Sequence, residues 1–226
     1  TAMKRALFIL IISLVTLVGL YTFIWNAEKN SIQSSIRAND AGKLRAVTSF
    51  YPLYFFSQQI GGDKFDVTNV VPSGAEPHDY EPTAQDMARM EKADLIVLNG
   101  GGFEAWGDRI GKNLSSKNTV VVRASEGLMT RAATGESSLT MDPHVWIDPV
   151  LAKRMVENIA SGFERVDPEN ASYYRGNADS LIGKLSDVDA AYRNGLRVCA
   201  TRNIITSHSA FGYLAAEYGL NQVSIA

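Results

Sequence analysis

Apolar segments separated by polar breaks divide the sequence from residue 43 onward into short strands and helices. Residues 44–49 form the first strand candidate, and the helix predicted after it begins at Pro52 and ends at the Gly61–Gly62 pair. Proline at the start and glycine at the end are typical of helices. β-Branched residues over 65–71 then predict a second strand. Together these segments predict one βαβ unit.

The same alternation continues along the chain. Thr83 and Asp86 stand at capping-box spacing before a predicted helix, and the wholly apolar segment 95–98 predicts a buried strand. A turn of three glycines without the spacing of a phosphate-binding loop follows, then a helix over 103–114 and a buried strand at 119–122. Strands that alternate with helices predict an α/β fold with a parallel sheet covered on both faces.

From residue 149 the pattern becomes purely helical. A long helix is predicted over 169–196, because apolar residues repeat at spacings of four and three along it. At about 1.5 Å per residue this helix extends about 40 Å, which favours a strut between two α/β segments over an element of a bundle. The residues that mark its apolar face are Tyr174, Ala178, Leu181, Leu185, Val188 and Tyr192.

A second α/β lobe begins after the long helix. Its predicted elements are a strand at 203–206, a helix at 209–218 and a further strand at 222–225. These elements are too few for a complete lobe, so we expect a C-terminally truncated sequence. The predicted organisation is an N-terminal signal (1–27), a polar tether (28–42), an N-terminal α/β lobe (43–148), a helical region (149–196) and the start of a C-terminal lobe (197–226).

The N-terminus has the pattern of an export signal. Lys4 and Arg5 precede an uninterrupted apolar stretch over 6–25. This stretch is long enough to span a bilayer, and no small-x-small cleavage site follows closely, so an uncleaved membrane anchor is favoured over a cleaved signal peptide. The leading positive charges predict that the folded part lies in the periplasm or on the outer face of the cytoplasmic membrane.

Composition excludes several classes of function. A net charge of −2, with acidic and basic residues interspersed, lacks the basic face that nucleic-acid binding requires. The single cysteine, Cys199, excludes an intrachain disulfide and a thiolate-rich zinc cage. We therefore expect a globular monomer that does not bind nucleic acid.

Three histidines are the candidate chemistry of the chain. His78 and His208 each follow a predicted strand, and His144 precedes the helical region. Ligands bind at the carboxyl ends of the strands in open parallel sheets, so three imidazoles from separate loops could converge there. Neutral imidazole suits zinc and, less strongly, manganese. Spacing this wide has no specificity of its own, so a solvated role for each histidine stays open.

The residues around the histidines resemble three motifs of one family. The segments 71–83, 142–149 and 207–214 are similar, in order, to the metal-ligand motifs of the zinc/manganese substrate-binding proteins of ABC transporters, the periplasmic solute-binding proteins of metal-binding cluster A-I type. Members have two α/β lobes of parallel sheet, joined by a long rigid helix, and hold the metal between the lobes. The resemblance, which covers 43–226, implies this fold and implies that the metal ligands are His78, His144 and His208.

The resemblance also implies capture of a divalent transition metal and its delivery to an ABC transporter permease. Histidine at position 208 is similar to the zinc-selective members, whereas manganese-selective members often carry glutamate there, so Zn²⁺ is favoured and Mn²⁺ is the alternative. The family's fourth ligand is a carboxylate late in the second lobe, which we expect beyond Ala226. The histidine-rich loop of some zinc members has no counterpart, because residues 131–141 contain no histidine.

Four carboxylates near the histidines are candidates for support of the metal ligands. A ligating histidine usually donates its other ring N–H to an oxygen. A solvated or helix-capping role is nevertheless the favoured interpretation for Glu76 and Asp79, and Asx turns that pin the loop are favoured for Asp142 and Asp148.

Two other functions stay open. Three histidines with a free fourth position also describe a zinc hydrolase that activates water, but no motif such as HExxH places a general base. A surface adhesin is the third possibility, because members of the family have been given that label. We expect a metal-binding receptor and not an enzyme.

Overall fold

Four parallel strands form the main sheet of the structure, a computed structural model that describes residues 43–110, 119–133 and 139–225. The sheet has the order β2-β1-β3-β4, so β1 and β3 are its central strands. The predicted signal and tether, at 1–27 and 28–42, lie outside the described residues. The strands are β1 (Leu44–Thr48), β2 (Phe65–Asn69), β3 (Leu95–Leu98) and β4 (Val120–Arg123).

The first three elements confirm the predicted βαβ unit. Helix α1 (Tyr51–Gly61) connects β1 to β2, which pair in parallel with Leu44 opposite Phe65. The helix carries proline in its first turn, and Gly62 ends it with a φ of 55°. Glycine is needed at this position, because a side chain there would meet both a strained backbone and the ring of Tyr173.

Strand β3 and helix α2 also match their predictions. All four residues of β3 are buried, as expected of a central strand covered on both faces. Helix α2 (Ala84–Met90) begins with a complete capping box, in which the side chains of Thr83 and Asp86 each accept the other residue's backbone N–H.

Two predictions in this region need correction. The strand expected over 65–71 ends at Asn69, and the helix expected over 103–114 has turns at 103–106 and is helical at 107–110. The delay has a local cause, because the backbone N–H of Gly107 bonds the carbonyl of Glu104 and closes a four-residue turn. Residues 111–114 of this predicted helix lie outside the described part of the chain.

Two helices follow the main sheet. Helix α3 (Pro149–Val166) packs on the sheet, and α4 (Ala171–Gly195) is the predicted long helix, shortened at its start by a 3₁₀ turn over Pro168–Asn170. The apolar face of α4 is buried only in its first half, at Tyr174, Ala178 and Leu181. Its later members Val188 and Tyr192 are 42% and 38% exposed, so the predicted stripe is not one continuous core face.

A second, two-stranded parallel sheet follows α4. Its elements are β5 (Asn203–Thr206), α5 (Gly212–Tyr218) and β6 (Asn221–Ser224). Helix α5 begins three residues later than the predicted residue 209. Residues from Leu44 onward belong to one compact unit, and the predicted division into lobes stays a prediction. Among the helices that the structure describes, none has both the length and the apolar character needed to cross a membrane.

Candidate metal centre

The three histidines lie in three loops that meet above the carboxyl ends of the strands. His78 lies in the loop between β2 and α2, and His208 follows β5 directly. His144 immediately precedes a 3₁₀ turn (Val145–Ile147) that leads into α3. The fold therefore brings together side chains that are far apart along the chain.

The ring nitrogens of the three histidines are separated by distances that suit one metal ion. Nε2 of His144 lies 3.3 Å from Nε2 of His78 and 3.1 Å from Nε2 of His208. One ring nitrogen from each histidine lies within 4.8 Å of the other two. Two nitrogens bound to one tetrahedral zinc ion at about 2.0–2.1 Å are about 3.3 Å apart, so the observed spacing fits such an ion.

His144 is the most firmly held of the three. Only 6% of the residue is exposed, and its Nδ1 lies 2.7 Å from Oδ1 of Asp142. A carboxylate oxygen accepts hydrogen bonds, so Nδ1 carries the hydrogen and donates it, which leaves the Nε2 lone pair for a metal ion. The same Oδ1 accepts the backbone N–H of His144 at 3.0 Å and holds the loop in an Asx turn.

His78 is half-buried, and its surroundings favour the neutral ring. Its ring packs edge-on against Phe103, with 4.7 Å between centroids. Burial, and next the neighbouring His144, lower the pKa of His78 below its ordinary value, while the charges of Glu76 and Asp79 oppose that shift. Glu76 also accepts the backbone N–H of His78 at 3.2 Å. Neutral imidazole is the form that binds a metal ion.

His208 is exposed, and a residue that the sequence analysis missed holds its loop. The side-chain amide of Gln222 donates to Oγ1 of Thr206 at 2.8 Å and to the carbonyl of His208 at 3.0 Å. Its Oε1 accepts the backbone N–H of Phe211 at 3.2 Å. These bonds keep residues 207–211 in a loop, which explains why α5 begins later than predicted. No local pattern marked Gln222, because its role depends on the pairing of β5 with β6.

An aromatic wall lies beside His78 and His144. The ring of Phe50 packs against Phe103 and Trp146, with centroids 4.7 Å and 4.6 Å apart. Trp146 in turn lies 5.2 Å from the ring of His144. This wall shields one side of the histidine cluster from water, which strengthens electrostatic interactions on that side.

Glu104 is a second residue that the sequence analysis missed. Its buried carboxylate accepts the hydroxyl of Ser49 and the backbone N–H of Asn99, both at 2.6 Å, and the N–H of Gly100 at 3.0 Å. Burial raises its pKa, and these hydrogen bonds oppose the shift. The amides of Asn99 and Gly100, at the start of the glycine turn, are thus already bound by a carboxylate, which agrees with a tight turn and not with a phosphate site.

Asp148, the last of the four carboxylates that the sequence analysis named, lies at the start of α3. It is 3% exposed, and its Oδ1 accepts the backbone N–H of Val150 at 2.9 Å. This contact is a helix N-cap, so Asp148 fixes the end of the segment that carries His144. Burial raises the pKa of Asp148.

Comparison with known families agrees with this arrangement of histidines on an α/β fold. Residues 46–226 match the family model described as ZnuA, zinc-uptake complex component A, periplasmic. The chain belongs to the ZnuA family. This finding confirms the predicted family, and with it the α/β fold class.

Individual relatives of the family carry zinc in their names. The chain is 41% identical over 208 residues to the high-affinity zinc uptake system protein ZnuA of Bacillus subtilis, covering 87% of this chain and 65% of that protein. It is 33% identical over 204 residues to the zinc-binding protein AdcA of Streptococcus pyogenes serotype M3, covering 81% of this chain and 40% of that protein. The chain thus spans 40% to 65% of the length of these relatives.

A solved structure supports the same conclusion about the fold. The crystal structure of Zn(II)-bound AdcA from Streptococcus pneumoniae superposes with a TM-score of 0.77 at 36% identity. The match covers 82% of this chain and 40% of that one. Both the sequence identity and the structural superposition therefore support the assignment of the chain to this family and fold.

Proposed function

We propose that this protein captures a zinc ion with His78, His144 and His208 outside the cytoplasmic membrane and delivers it to an ABC transporter permease. The observation that carries the proposal is the convergence of one ring nitrogen from each histidine within 4.8 Å. The zinc uptake and zinc-binding names of the relatives support the choice of metal. The predicted N-terminal signal and the periplasmic description of the family support the location.

The donor set favours zinc over manganese. Three imidazole nitrogens are borderline donors that zinc binds strongly, whereas manganese prefers carboxylate, carbonyl and water oxygens. Three histidines supply three corners of a tetrahedral shell, and the fourth corner is open to another protein group or to water. Manganese stays the competing metal, and a competition experiment distinguishes the two.

The structure supports a division of labour within the cluster. Asp142 orients His144, and Glu76 holds the backbone of His78, so these two ligands are positioned before the ion arrives. The exposed His208 lies on the solvent side of the cluster.

The test is a zinc titration by calorimetry with a competing chelator. His78→Ala, His144→Ala and His208→Ala are each expected to weaken zinc binding by about a hundredfold or more, because each removes one of few donors. Cys199→Ala serves as the control, since it removes the only thiol, which is exposed. Unchanged zinc affinity in the three histidine variants would refute the proposal. Tighter binding of Mn²⁺ than of Zn²⁺ would identify manganese as the metal of the site.

A further inference from the structure

A buried tyrosine connects the helix after His208 to the segment that holds His144. Tyr213 lies in the first turn of α5 and is 4% exposed. Its hydroxyl donates to the backbone carbonyl of Asp142 at 2.9 Å and accepts the backbone N–H groups of Thr130 and Arg131, both at 3.2 Å. One hydroxyl oxygen thus has three hydrogen-bond partners.

Two of these hydrogen-bond partners, Arg131 and Asp142, also bond each other, and Asp142 is the residue that orients His144. The backbone N–H of Asp142 donates to the carbonyl of Arg131 at 2.9 Å, and its carbonyl accepts the hydroxyl of Tyr213. With both backbone groups held, the carboxylate of Asp142 is aimed at Nδ1 of His144. The tyrosine hydroxyl therefore acts on His144 through Asp142.

The same contact fixes the side of the cluster that carries His208. Helix α5 begins at Gly212, only a short loop after His208, so anchoring Tyr213 anchors that loop as well. The helix start packs closely on the Asp142 segment, because a Cβ on Gly212 would lie 3.0 Å from Oδ2 of Asp142 and 3.1 Å from Nε of Arg131. Close packing and hydrogen bonding hold the two sides of the cluster together at one point.

We propose that Tyr213 is a positioning residue that sets the separation between His144 and His208 and thereby raises the affinity for zinc. It does not touch the ion and acts through Asp142 and through the start of α5. The proposal rests on the proposed function, since it concerns the same histidine site. Without the hydroxyl, a carbonyl and two amides lose their shared partner, and the two ligand loops lose their common anchor.

Tyr218 provides a matched control on the same helix. It is 7% exposed, and its hydroxyl donates to Oδ1 of Asp189 on α4 at 3.0 Å. It thus also makes a hydrogen bond from a buried tyrosine, but towards the long helix instead of towards Asp142. Tyr218→Phe removes a comparable hydroxyl without affecting the contact between α5 and the Asp142 segment.

The experiment compares Tyr213→Phe with Tyr218→Phe by zinc titration, by thermal unfolding of the metal-free protein and by the visible spectrum of bound Co²⁺. Both variants should unfold at lower temperature than the wild type. Only Tyr213→Phe should weaken zinc binding, by about tenfold as for other residues that support metal ligands, and alter the Co²⁺ spectrum. In an Asp142→Asn background its effect on affinity should shrink, because both changes act on His144.

Equal zinc affinities for the two tyrosine variants and the wild type would show that Tyr213 only stabilises the fold. If Tyr213→Phe does not fold, Gly212→Ala takes its place, since an added methyl crowds the carboxylate of Asp142 at the start of α5. Unchanged zinc affinity in that variant overturns the proposal. A wild-type protein whose zinc binding does not depend on the histidines would instead refute the proposed function, so the two failures are distinguishable.

Discussion

The candidate metal centre joins two regions that are built differently. His144 and His78 belong to the region of the four-stranded sheet, where the ends of the strands, an aromatic wall and Asp142 hold them in place. His208 belongs to the two-stranded sheet, where Ile205 and Val223 are 74% and 49% exposed. One side of the site is thus a packed platform, and the other side depends on a few identified hydrogen bonds.

This contrast has a consequence for binding. A platform with buried, oriented ligands lowers the entropic cost of capturing an ion, because little has to be ordered when the ion binds. His208 is the exposed member of the cluster, so the pre-ordered part of the site is the side of His144 and His78.

Acid should weaken zinc binding more strongly than any support-residue variant. Protons compete with zinc for neutral imidazole, and the affinity falls by up to about tenfold per pH unit for each histidine that titrates. Burial and His144 lower the pKa of His78, so this ligand stays neutral at pH values where a free histidine is protonated. Chelator-competition titrations from about pH 7.5 to about pH 5 should show a plateau that falls below about pH 6.5. Affinity that rises in acid would contradict the histidine assignment.

Asp142→Asn tests how the platform orients its ligand. An amide loses the negative charge that draws the hydrogen of Nδ1, so zinc affinity should fall by about 10- to 100-fold. Asp167→Asn is the matched control, because Asp167 also accepts a short hydrogen bond, from the hydroxyl of Tyr174 at 2.6 Å, but in the helical region. Equal zinc affinity in the two variants, measured by chelator competition, would show that Asp142 does not act on the site.

The stabilities of His144→Ala and His208→Ala test whether the two histidines are held differently. In metal-free protein, His144→Ala leaves the buried carboxylate of Asp142 without its ring partner and should lower the free energy of unfolding by about 1–3 kcal/mol. His208→Ala removes an exposed side chain and should change it by less than about 0.5 kcal/mol. Urea denaturation measures both values. The reverse order would mean that His208, and not His144, lies on the platform.

Gln222→Ala should have the smallest effect on binding. It frees the loop of His208 but leaves all three ligands in place, so zinc affinity should fall only several-fold, less than for Asp142→Asn. The neighbouring Asn221→Ala is the control, because its amide bonds Asn203 at the other end of the two strands. If Gln222→Ala lost as much zinc affinity as Asp142→Asn in the same titration, binding would depend equally on the supports of His208 and of His144.

The extent to which the sequence predicted the structure varied with the range of the interactions involved. Strands over 95–98 and 203–206 were predicted at their observed bounds, since apolar runs between turn signals are local patterns. The burial of α4 was predicted less well, because exposure of Val188 and Tyr192 depends on what packs against the helix.

The same contrast between local patterns and tertiary contacts holds for the residues of the candidate site. Short motifs around His78, His144 and His208 identified the candidate ligands, and the structure brings those side chains together. Tyr213 was expected, with Trp146 and Phe211, to pack around the site, but the hydrogen bonds of its hydroxyl were not predicted. Glu104 and Gln222 left no mark in the sequence pattern, because each is a single polar residue with partners on other elements. Their roles follow only from tertiary contacts, which a one-dimensional pattern does not contain.

The most direct measurement is X-ray absorption at the zinc edge of protein loaded with one equivalent of zinc. Three imidazole nitrogens are expected at about 2.0–2.1 Å from the metal, and one fewer in His144→Ala. A zinc shell made of oxygen donors, or one that the loss of His144 leaves unchanged, would contradict this expectation.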